Sequence, residues 1–285
     1  MGDAASEIAY RLPYMSWMGM KMRGHFVATL GEFVGTTMFL FFAFSGTQVS
    51  STTTNGETGF SVEVLMYIAL SFGFSLMVNV WVFFRISGGL FNPAVTLAMV
   101  LTKAVSVFRA CLLVGAQICG SLFASWLVSI IFPTSFSVRT TLSKDTSLAR
   151  GVIIEILLTA ELVFTIFMLA KEKHKATFMA PIGIGLALFV AELVGVYYTG
   201  GSLNPARSFG PCVVTGIFDK EHWIYWVGPG AGAIIAVIFY KFILILQYEL
   251  ANPGQDETSE KKAEQVAEEA KETLKQQRHT GMNAV

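Results

Sequence analysis

The sequence predicts an all-α membrane protein with six transmembrane helices and two re-entrant half-helices arranged as an inverted repeat. The first observation is composition, with 53% hydrophobic and only 14% charged residues, whereas soluble domains have about 25% charged residues. The second is a set of six apolar stretches, and the third is a motif that occurs once in each half. Acidic and basic residues, 20 of each, cancel, so we expect no nucleic-acid partner.

Each of the six predicted spans contains about 20 mostly apolar residues, the length needed to cross about 30 Å of hydrocarbon. Their bounds are 26–48, 64–84, 110–132, 151–170, 177–198 and 223–246. The prediction divides the chain into an N-terminal segment 1–25, a membrane body 26–247 and a charged tail 248–285. The body contains two repeat halves, about 26–132 and 151–247. The tail is either a short amphipathic helix at 257–278 or disordered, since it is rich in charge.

The distribution of Lys and Arg predicts the orientation of the chain. With the N-terminus inside, 15 of these residues lie on the inner side and 5 on the outer side. Cytoplasmic loops of membrane proteins carry the excess of positive charge. We therefore expect both termini in the cytoplasm, with the plasma membrane as the default location.

Two apolar segments, 92–101 and 204–215, are too short to span a bilayer and are typical of re-entrant pieces. Each begins with the same motif, Asn92-Pro93-Ala94 in the first half and Asn204-Pro205-Ala206 in the second. Because three spans in each half is an odd number, the two halves insert with opposite topology. Asparagine favours the N-cap of a helix and proline its first turn. The motifs thus predict two opposed half-helices whose positive dipole ends meet inside the membrane.

These motifs resemble those of the aquaporin, or major intrinsic protein, family. Glu32, Glu155, the stretch Gly115-Ala116-Gln117 and the stretch Tyr225-Trp226-Val227-Gly228-Pro229 add to the resemblance. It covers most of the body and is closest to the water-selective branch. It implies a homotetramer in the lipid bilayer with a passive water pore in each subunit. It implies no enzyme activity and no cofactor, and the three cysteines have no metal-ligand spacing.

The resemblance also implies a role for each pore residue. Asn92 and Asn204 each donate a side-chain N–H to the central water, and the outer Arg207 raises a barrier to cations and protons. Glu32 and Glu155 bind backbone N–H groups of the two re-entrant loops. Backbone carbonyls form a ladder of acceptors for water, and the expected residues are Gly88, Gly89, Leu90, Gly200, Gly201 and Ser202.

A narrow filter is expected near the outer mouth at Phe72, Glu192, Gly201 and Arg207. Water-selective members of the family usually have histidine where this chain has Glu192. An ionised carboxylate is only an acceptor. We hypothesise that Glu192 pairs with Arg207, directly or through water, and that the filter rejects ions but admits hydrogen peroxide besides water. The alternative is that Glu192 is protonated or turned aside and that ordinary water conduction persists.

Three other functions stay open at this point. A glycerol facilitator is the nearest, although Ser208 follows Arg207 where that branch commonly has aspartate. An ion-coupled transporter also uses broken helices and acids at the midplane. A membrane scaffold with an incidental pore is the third, although a charge such as Arg207 is costly to keep unused in a membrane. Glu161 has no acidic counterpart in the first half, where Met38 occupies the equivalent position.

Overall fold

The computed structural model describes residues 18–52, 61–174 and 176–252. Within them the chain forms eight α-helices, six of which are long and apolar enough to cross a membrane. In chain order the helices are α1 Met20–Thr52, α2 Val62–Phe83, α3 Pro93–Leu101, α4 Val107–Ile131, α5 Leu148–Ile166, α6 Ala180–Thr199, α7 Pro205–Thr215 and α8 Ile224–Ile245. The long helices are α1, α2, α4, α5, α6 and α8, and the two short ones, α3 and α7, begin at the prolines of the repeated motif.

Three of the long helices begin at serines that cap their free backbone N–H groups. The hydroxyls of Ser61, Ser106 and Ser147 accept from the backbone N–H three residues later, at the starts of α2, α4 and α5. Each of these serines has extended backbone, as an N-cap requires. These caps fix where the spans begin, which apolar content alone defines only loosely.

The helix bounds differ from the predicted spans by a few residues, and two of the differences are informative. α1 begins at Met20 rather than residue 26, because its first turns carry the polar residues Lys21, Arg23 and His25, which continue a helix without adding hydrophobicity. The fourth span ends in a π-helical turn, Phe167–Lys171, which no hydrophobic pattern specifies. Most of the predicted N-terminal segment and all of the predicted tail helix at 257–278 lie outside the described residues.

The two halves pack by the same contacts. Helices α1 and α4 cross at Gly120, where an added Cβ would lie 2.8 Å from the carbonyl oxygen of Phe33. Helices α5 and α8 cross at Gly232, where an added Cβ would collide with the carbonyl of Ile156. Both crossings therefore require glycine.

The halves meet where α2 and α6 cross. An added Cβ at Gly73 would lie 2.9 Å from the carbonyl oxygen of Gly185, and one at Gly185 would lie 2.7 Å from that of Gly73. This reciprocal contact lies on the pseudo-two-fold axis of an inverted repeat. We call the side at which α1 begins the N-terminal face, and the side at which α2 begins the opposite face. Helix α3 runs from the centre towards the N-terminal face, and α7 runs from the centre towards the opposite face.

Candidate pore and selectivity filter

Two irregular loops precede the half-helices, 87–92 in the first half and 199–204 in the second. Each contains two glycines with positive φ and one larger residue in the left-handed region, Phe91 at 51° and Leu203 at 50°. A left-handed conformation costs a residue with a side chain roughly 1–2 kcal/mol. Such backbone persists only where its surroundings hold it, so each loop needs an anchor.

Glu32 anchors the first loop. Its Oε1 accepts from the Ser87 hydroxyl at 2.6 Å and from the Leu90 N–H at 3.0 Å, and its Oε2 accepts from the Phe91 N–H at 2.8 Å. The Nε2 of Gln117 donates to the same Oε2 at 2.7 Å. The carboxylate is fully buried, and these four donors compensate for the loss of its hydration.

Glu155 anchors the second loop through matching contacts. Its Oε1 accepts from the Thr199 hydroxyl at 2.6 Å and from the Ser202 N–H at 3.0 Å, and its Oε2 accepts from the Leu203 N–H at 2.8 Å. Glu155 is also fully buried. Both predicted anchors therefore contact the predicted loops through backbone N–H groups.

The two loops are joined to each other at the centre of the molecule. The Oδ1 of each motif asparagine caps its own half-helix by accepting from the N–H of Ala94 or Ala206. The Nδ2 of Asn92 donates to the Leu203 carbonyl at 2.8 Å, and the Nδ2 of Asn204 donates to the Phe91 carbonyl at 2.8 Å. An amide nitrogen has two hydrogens. Each asparagine therefore has one further N–H to offer to a molecule in the space beside it.

A cavity of about 470 Å³ extends from the N-terminal face through the centre towards the opposite face. Both asparagines line it, and most of its wall is apolar. The side of the cavity formed by the two loops includes some of the predicted carbonyl acceptors, namely Gly88, Gly89 and Leu90 of the first loop and Ser202 of the second loop. The apolar wall includes Leu76, Val80, Val95, Leu162, Ile184 and Leu188.

The structure brings the four predicted filter residues together at the end of this cavity near the opposite face. The Arg207 guanidinium carbon lies 4.8 Å from the ring centre of Phe72. The Glu192 carboxylate lies so close to Gly201 that an added Cβ there would collide with it. Glycine at this position therefore makes room for the Glu192 side chain.

Arg207 binds backbone carbonyls rather than Glu192. Its Nη1 donates to the Val138 carbonyl at 2.7 Å, its Nε to the Gly201 carbonyl at 3.1 Å and its Nη2 to the Gly200 carbonyl at 3.3 Å. Two of the predicted water acceptors, Gly200 and Gly201, are thus occupied in part by the arginine. A carbonyl oxygen has a second lone pair, which stays available to a solute.

We hypothesised that Glu192 pairs with Arg207 directly or through water, and the direct ion pair does not form. Both carboxylate oxygens of Glu192 are buried and have no hydrogen-bond partner in the described chain. The physical reason is that three carbonyls already hold the rigid guanidinium fork of Arg207. Glu192 lines the cavity, so the groups that can satisfy its oxygens are molecules inside the pore.

Sequence reasoning assigned no role to several residues of this site, among them Ser87, Thr199, Gln117 and Val138. Gln117 belongs to a stretch that marks the family resemblance, and the structure places it between Glu32 and Thr96. The sequence feature that could have indicated this role is a glutamine within an otherwise apolar span. Val138 contributes only its backbone carbonyl, so its side chain gave no signal.

Comparison with known proteins agrees with this geometry. Residues 20–240 match the model of the major intrinsic protein family. An aquaporin-5 of Botryotinia fuckeliana is 67% identical over 273 residues, which cover 91% of this chain and 51% of that protein. A probable aquaporin-5 of Gibberella zeae is 66% identical over 255 residues, which cover 86% of this chain and 47% of that protein. The chain thus spans about half the length of these curated relatives.

A solved structure shares the fold. The aquaglyceroporin from Plasmodium falciparum superimposes with a TM-score of 0.68 over 79% of this chain and 99% of that chain, at 20% sequence identity. At this identity the likeness concerns the fold alone. The chain belongs to the major intrinsic protein family, whose members are membrane channels and not enzymes. The predicted family and the predicted fold of six spans with two half-helices are confirmed.

Proposed function

We propose that this protein is a passive channel that conducts water in single file. The proposal rests above all on the pair of asparagines at the centre of the cavity, each with one amide hydrogen outside the protein's own bonds. A water molecule between them accepts both hydrogens. Its own hydrogens then point away from the centre, towards the loop carbonyls on either side. The apolar wall opposite offers no competing polar group, so the waters stay in a line.

The same arrangement opposes cations and protons. The two half-helices direct their positive ends at the centre, and Arg207 adds a buried positive charge at the filter. Half-helix dipoles and an arginine together are a sufficient barrier in pores of this kind. No reaction is catalysed and no cofactor is required, because the solute crosses unchanged.

The filter also admits hydrogen peroxide in this proposal. Within the described residues the two oxygens of Glu192, which lines the cavity, have no hydrogen-bond partner, and hydrogen peroxide has two O–H donors on adjacent oxygens. Histidine at this position offers a single N–H and a bulky ring. The carboxylate pairs with Arg207 through an intervening solute, since no direct bond forms between them. A glycerol molecule needs a wider passage and hydrogen-bond partners for its three hydroxyls. We therefore rank glycerol below water and hydrogen peroxide as a permeating solute.

The assembly and location follow the same proposal. We place four copies in a homotetramer with one pore in each subunit, in the plasma membrane. The N-terminal face is the cytoplasmic one, because Lys and Arg residues concentrate there. His25, Arg109, Lys171 and Lys173 all line the mouth of the cavity on that face.

Reconstitution into lipid vesicles tests the proposal. Vesicles with the protein should shrink several-fold faster than empty vesicles in an osmotic gradient, take up hydrogen peroxide and carry no proton current. Rapid glycerol uptake would reassign the channel to the glycerol branch. Uptake that depends on a proton gradient would identify a coupled transporter, and no uptake of any solute would identify a scaffold.

A further inference from the structure

A glutamine outside the pore binds the segment of chain that completes the filter. Gln48 lies near the end of α1 and is 2% exposed, and among the described residues it does not belong to the cavity wall. A buried amide is costly unless its donors and acceptor have partners. The Nε2 of Gln48 donates to the Thr134 hydroxyl at 2.6 Å and to the Ser135 carbonyl at 2.7 Å, and its Oε1 accepts from the Ser137 N–H at 3.1 Å. Gln48 therefore holds one short stretch of chain at three positions.

This stretch belongs to the connection between α4 and α5, which joins the two repeat halves. We call residues 134–139 the connecting segment. Val138 follows Ser137 and is 2% exposed, and its carbonyl accepts from the Nη1 of Arg207 at 2.7 Å, the shortest of the three bonds that hold the arginine. In extended backbone, the N–H and C=O groups of one residue point to one edge and those of the next residue to the other edge. The contacts follow this alternation, since Gln48 binds residues 135 and 137 whereas Arg207 binds residue 138.

A second contact holds the end of the connecting segment from the other half of the molecule. The Nη1 of Arg139 donates to the Oδ2 of Asp219, which lies between α7 and α8, at 2.9 Å. The two side chains are 21% and 37% exposed, and ion pairs that water can reach contribute little. The three buried or partly buried bonds of Gln48 are therefore the stronger restraint on the segment.

The Val138 carbonyl also affects which partners are open to Glu192. The other two acceptors of Arg207 are the carbonyls of Gly200 and Gly201 in the second re-entrant loop. Glu192 and Arg207 both contact Gly201, so the carboxylate lies close to the guanidinium. A bond between two charged groups is stronger than one from a guanidinium to a neutral carbonyl. An Nη1 that loses the Val138 carbonyl is therefore expected to bind Glu192 directly.

We propose that Gln48 is a positioning residue for solute choice. It holds the connecting segment so that the Val138 carbonyl stays on Arg207 and the Glu192 carboxylate stays open to the solute. Gln48 acts through the backbone of the segment, and a residue of the first half thus sets the filter of the second. The inference rests on the proposed function and adds to it a residue that no solute touches.

The ratio of hydrogen peroxide to water permeability in vesicles tests this role. Gln48→Leu removes all three bonds and keeps a side chain of similar size. We expect the ratio to fall several-fold, because Arg207 then pairs with Glu192. The matched control is Asn79→Leu, which makes the same kind of change at another amide in a span. Asn79 is also 2% exposed, and its Nδ2 donates within its own helix to the Ser75 carbonyl, so its replacement should leave the ratio unchanged.

A double variant separates positioning from a general loss of packing. If Gln48 acts through Arg207 and Glu192, Gln48→Leu should not lower the ratio further in a Glu192→His background. An unchanged ratio in Gln48→Leu alone, an equal fall in Asn79→Leu, or a further fall in the double variant would overturn the proposal.

A milder variant serves where Gln48→Leu does not accumulate. In Gln48→Glu the ionised carboxylate still accepts from the Ser137 N–H but cannot donate to Thr134 or Ser135. The ratio should fall in this variant as well, and a ratio equal to that of the parent would count against the proposal.

Hydrogen–deuterium exchange measures the hold on the segment without any conduction. The Ser137 amide hydrogen is bonded to Gln48, so peptides that cover residues 133–140 should exchange several-fold faster in Gln48→Leu than in the parent. Peptides that cover residues 199–204 should exchange at the parent rate. Equal exchange of residues 133–140 in the two proteins would overturn the proposal. A parent protein that conducts no water would instead contradict the proposed function, so the two failures are distinguished.

Discussion

The two re-entrant loops share their scaffold and differ in their chemistry. Glu32 and Glu155 hold their loops with corresponding bonds of the same lengths, 2.6, 3.0 and 2.8 Å. The two asparagines reach across to each other's loop at 2.8 Å in both directions. The backbone around the centre of the pore is therefore nearly symmetric, although the side chains around it are not.

The difference appears at the positions that form the filter in the second half. Glu192 and Arg207 correspond to Val80 and Val95 in the first half, 12 residues before and 3 after the motif asparagine. An added Cβ at Gly89 would lie 3.4 Å from the Cα of Val80, and one at Gly201 would collide with the Glu192 carboxylate. Both halves thus use the same framework, and of these two pairs of positions only the pair in the second half carries charge. The comparison teaches that an inverted repeat preserves the loop framework in both halves, while substitutions in one half change the charge along the cavity.

The largest expected effect comes from removing an anchor. Glu155→Leu leaves the Ser202 and Leu203 N–H groups and the Thr199 hydroxyl unpaired, and each buried unpaired group costs about 1–3 kcal/mol. We expect the variant to unfold well below the parent in detergent, or not to accumulate. Thermal unfolding followed by size-exclusion chromatography measures this.

If the scaffold is symmetric, Glu32→Leu should be as damaging as Glu155→Leu. Glu161→Gln is the control, since it changes an exposed carboxylate with no bond in the described chain. Normal stability of Glu155→Leu would show that the loop holds its shape without the carboxylate.

The next effect concerns ion exclusion. Arg207→Val gives the second half the residue that the first half has at Val95, and removes a buried positive charge from the filter. We expect proton or cation conductance to rise roughly tenfold or more, since each 1.4 kcal/mol of barrier corresponds to one factor of ten. Voltage-clamp recording and a pH-sensitive dye in vesicles measure it. Val95→Ala should leave ion conductance near the parent level. If Arg207→Val still excludes ions, the barrier to ions lies at the half-helix ends and not at Arg207.

A smaller effect is expected at the centre. Asn92→Ala and Asn204→Ala each remove a helix cap and one bond across the loops, each worth about 1 kcal/mol. The two losses of unfolding free energy should agree within about 1 kcal/mol, because the bonds across the loops match and Asn204 has only one further cap bond, from the Arg207 N–H at 3.3 Å. Denaturant titration of both variants tests the agreement. A large inequality would mean that the two loops are coupled through something other than these amides.

The smallest effect is expected from single hydroxyls. Ser87→Ala and Thr199→Val each remove one donor to an anchor carboxylate, at a cost of about 1 kcal/mol. Thr199 is fully buried, whereas the Ser87 bond is partly exposed, so Thr199→Val should be the more damaging. The shift in thermal midpoint ranks the two variants. A larger loss of stability for Ser87→Ala would show that the first loop depends more on its hydroxyl bond than the second loop does.

The sequence predicted the features that side chains specify directly. Proline after asparagine marks the start of each half-helix, and a carboxylate in an apolar span marks an anchor. It also placed Phe72, Glu192, Gly201 and Arg207 in one filter, which the structure brings together. The carboxylates and Arg207 stand out in the sequence because such residues are costly to keep in a membrane without a partner.

The remaining contacts depend on backbone atoms that every residue possesses. The carbonyl of Val138 binds Arg207, yet no feature of valine indicates it. The bonds from each asparagine to the opposite loop likewise end on the carbonyls of Phe91 and Leu203. Charge alone suggested a direct bond between Glu192 and Arg207, but a guanidinium is satisfied equally by carbonyls in the correct directions. Glu161 is exposed because of the way α5 packs in the bundle. The apolar residues around it in the sequence do not indicate this exposure.

The role of Glu192 is tested most directly by the ratio of hydrogen peroxide to water permeability in Glu192→His and in the parent. Both proteins are reconstituted at equal density, and stopped-flow light scattering and a peroxide-sensitive dye report the two rates. We predict a several-fold lower ratio in Glu192→His, with water permeability retained and no proton current in either protein. An unchanged ratio would contradict the assignment of solute choice to this carboxylate.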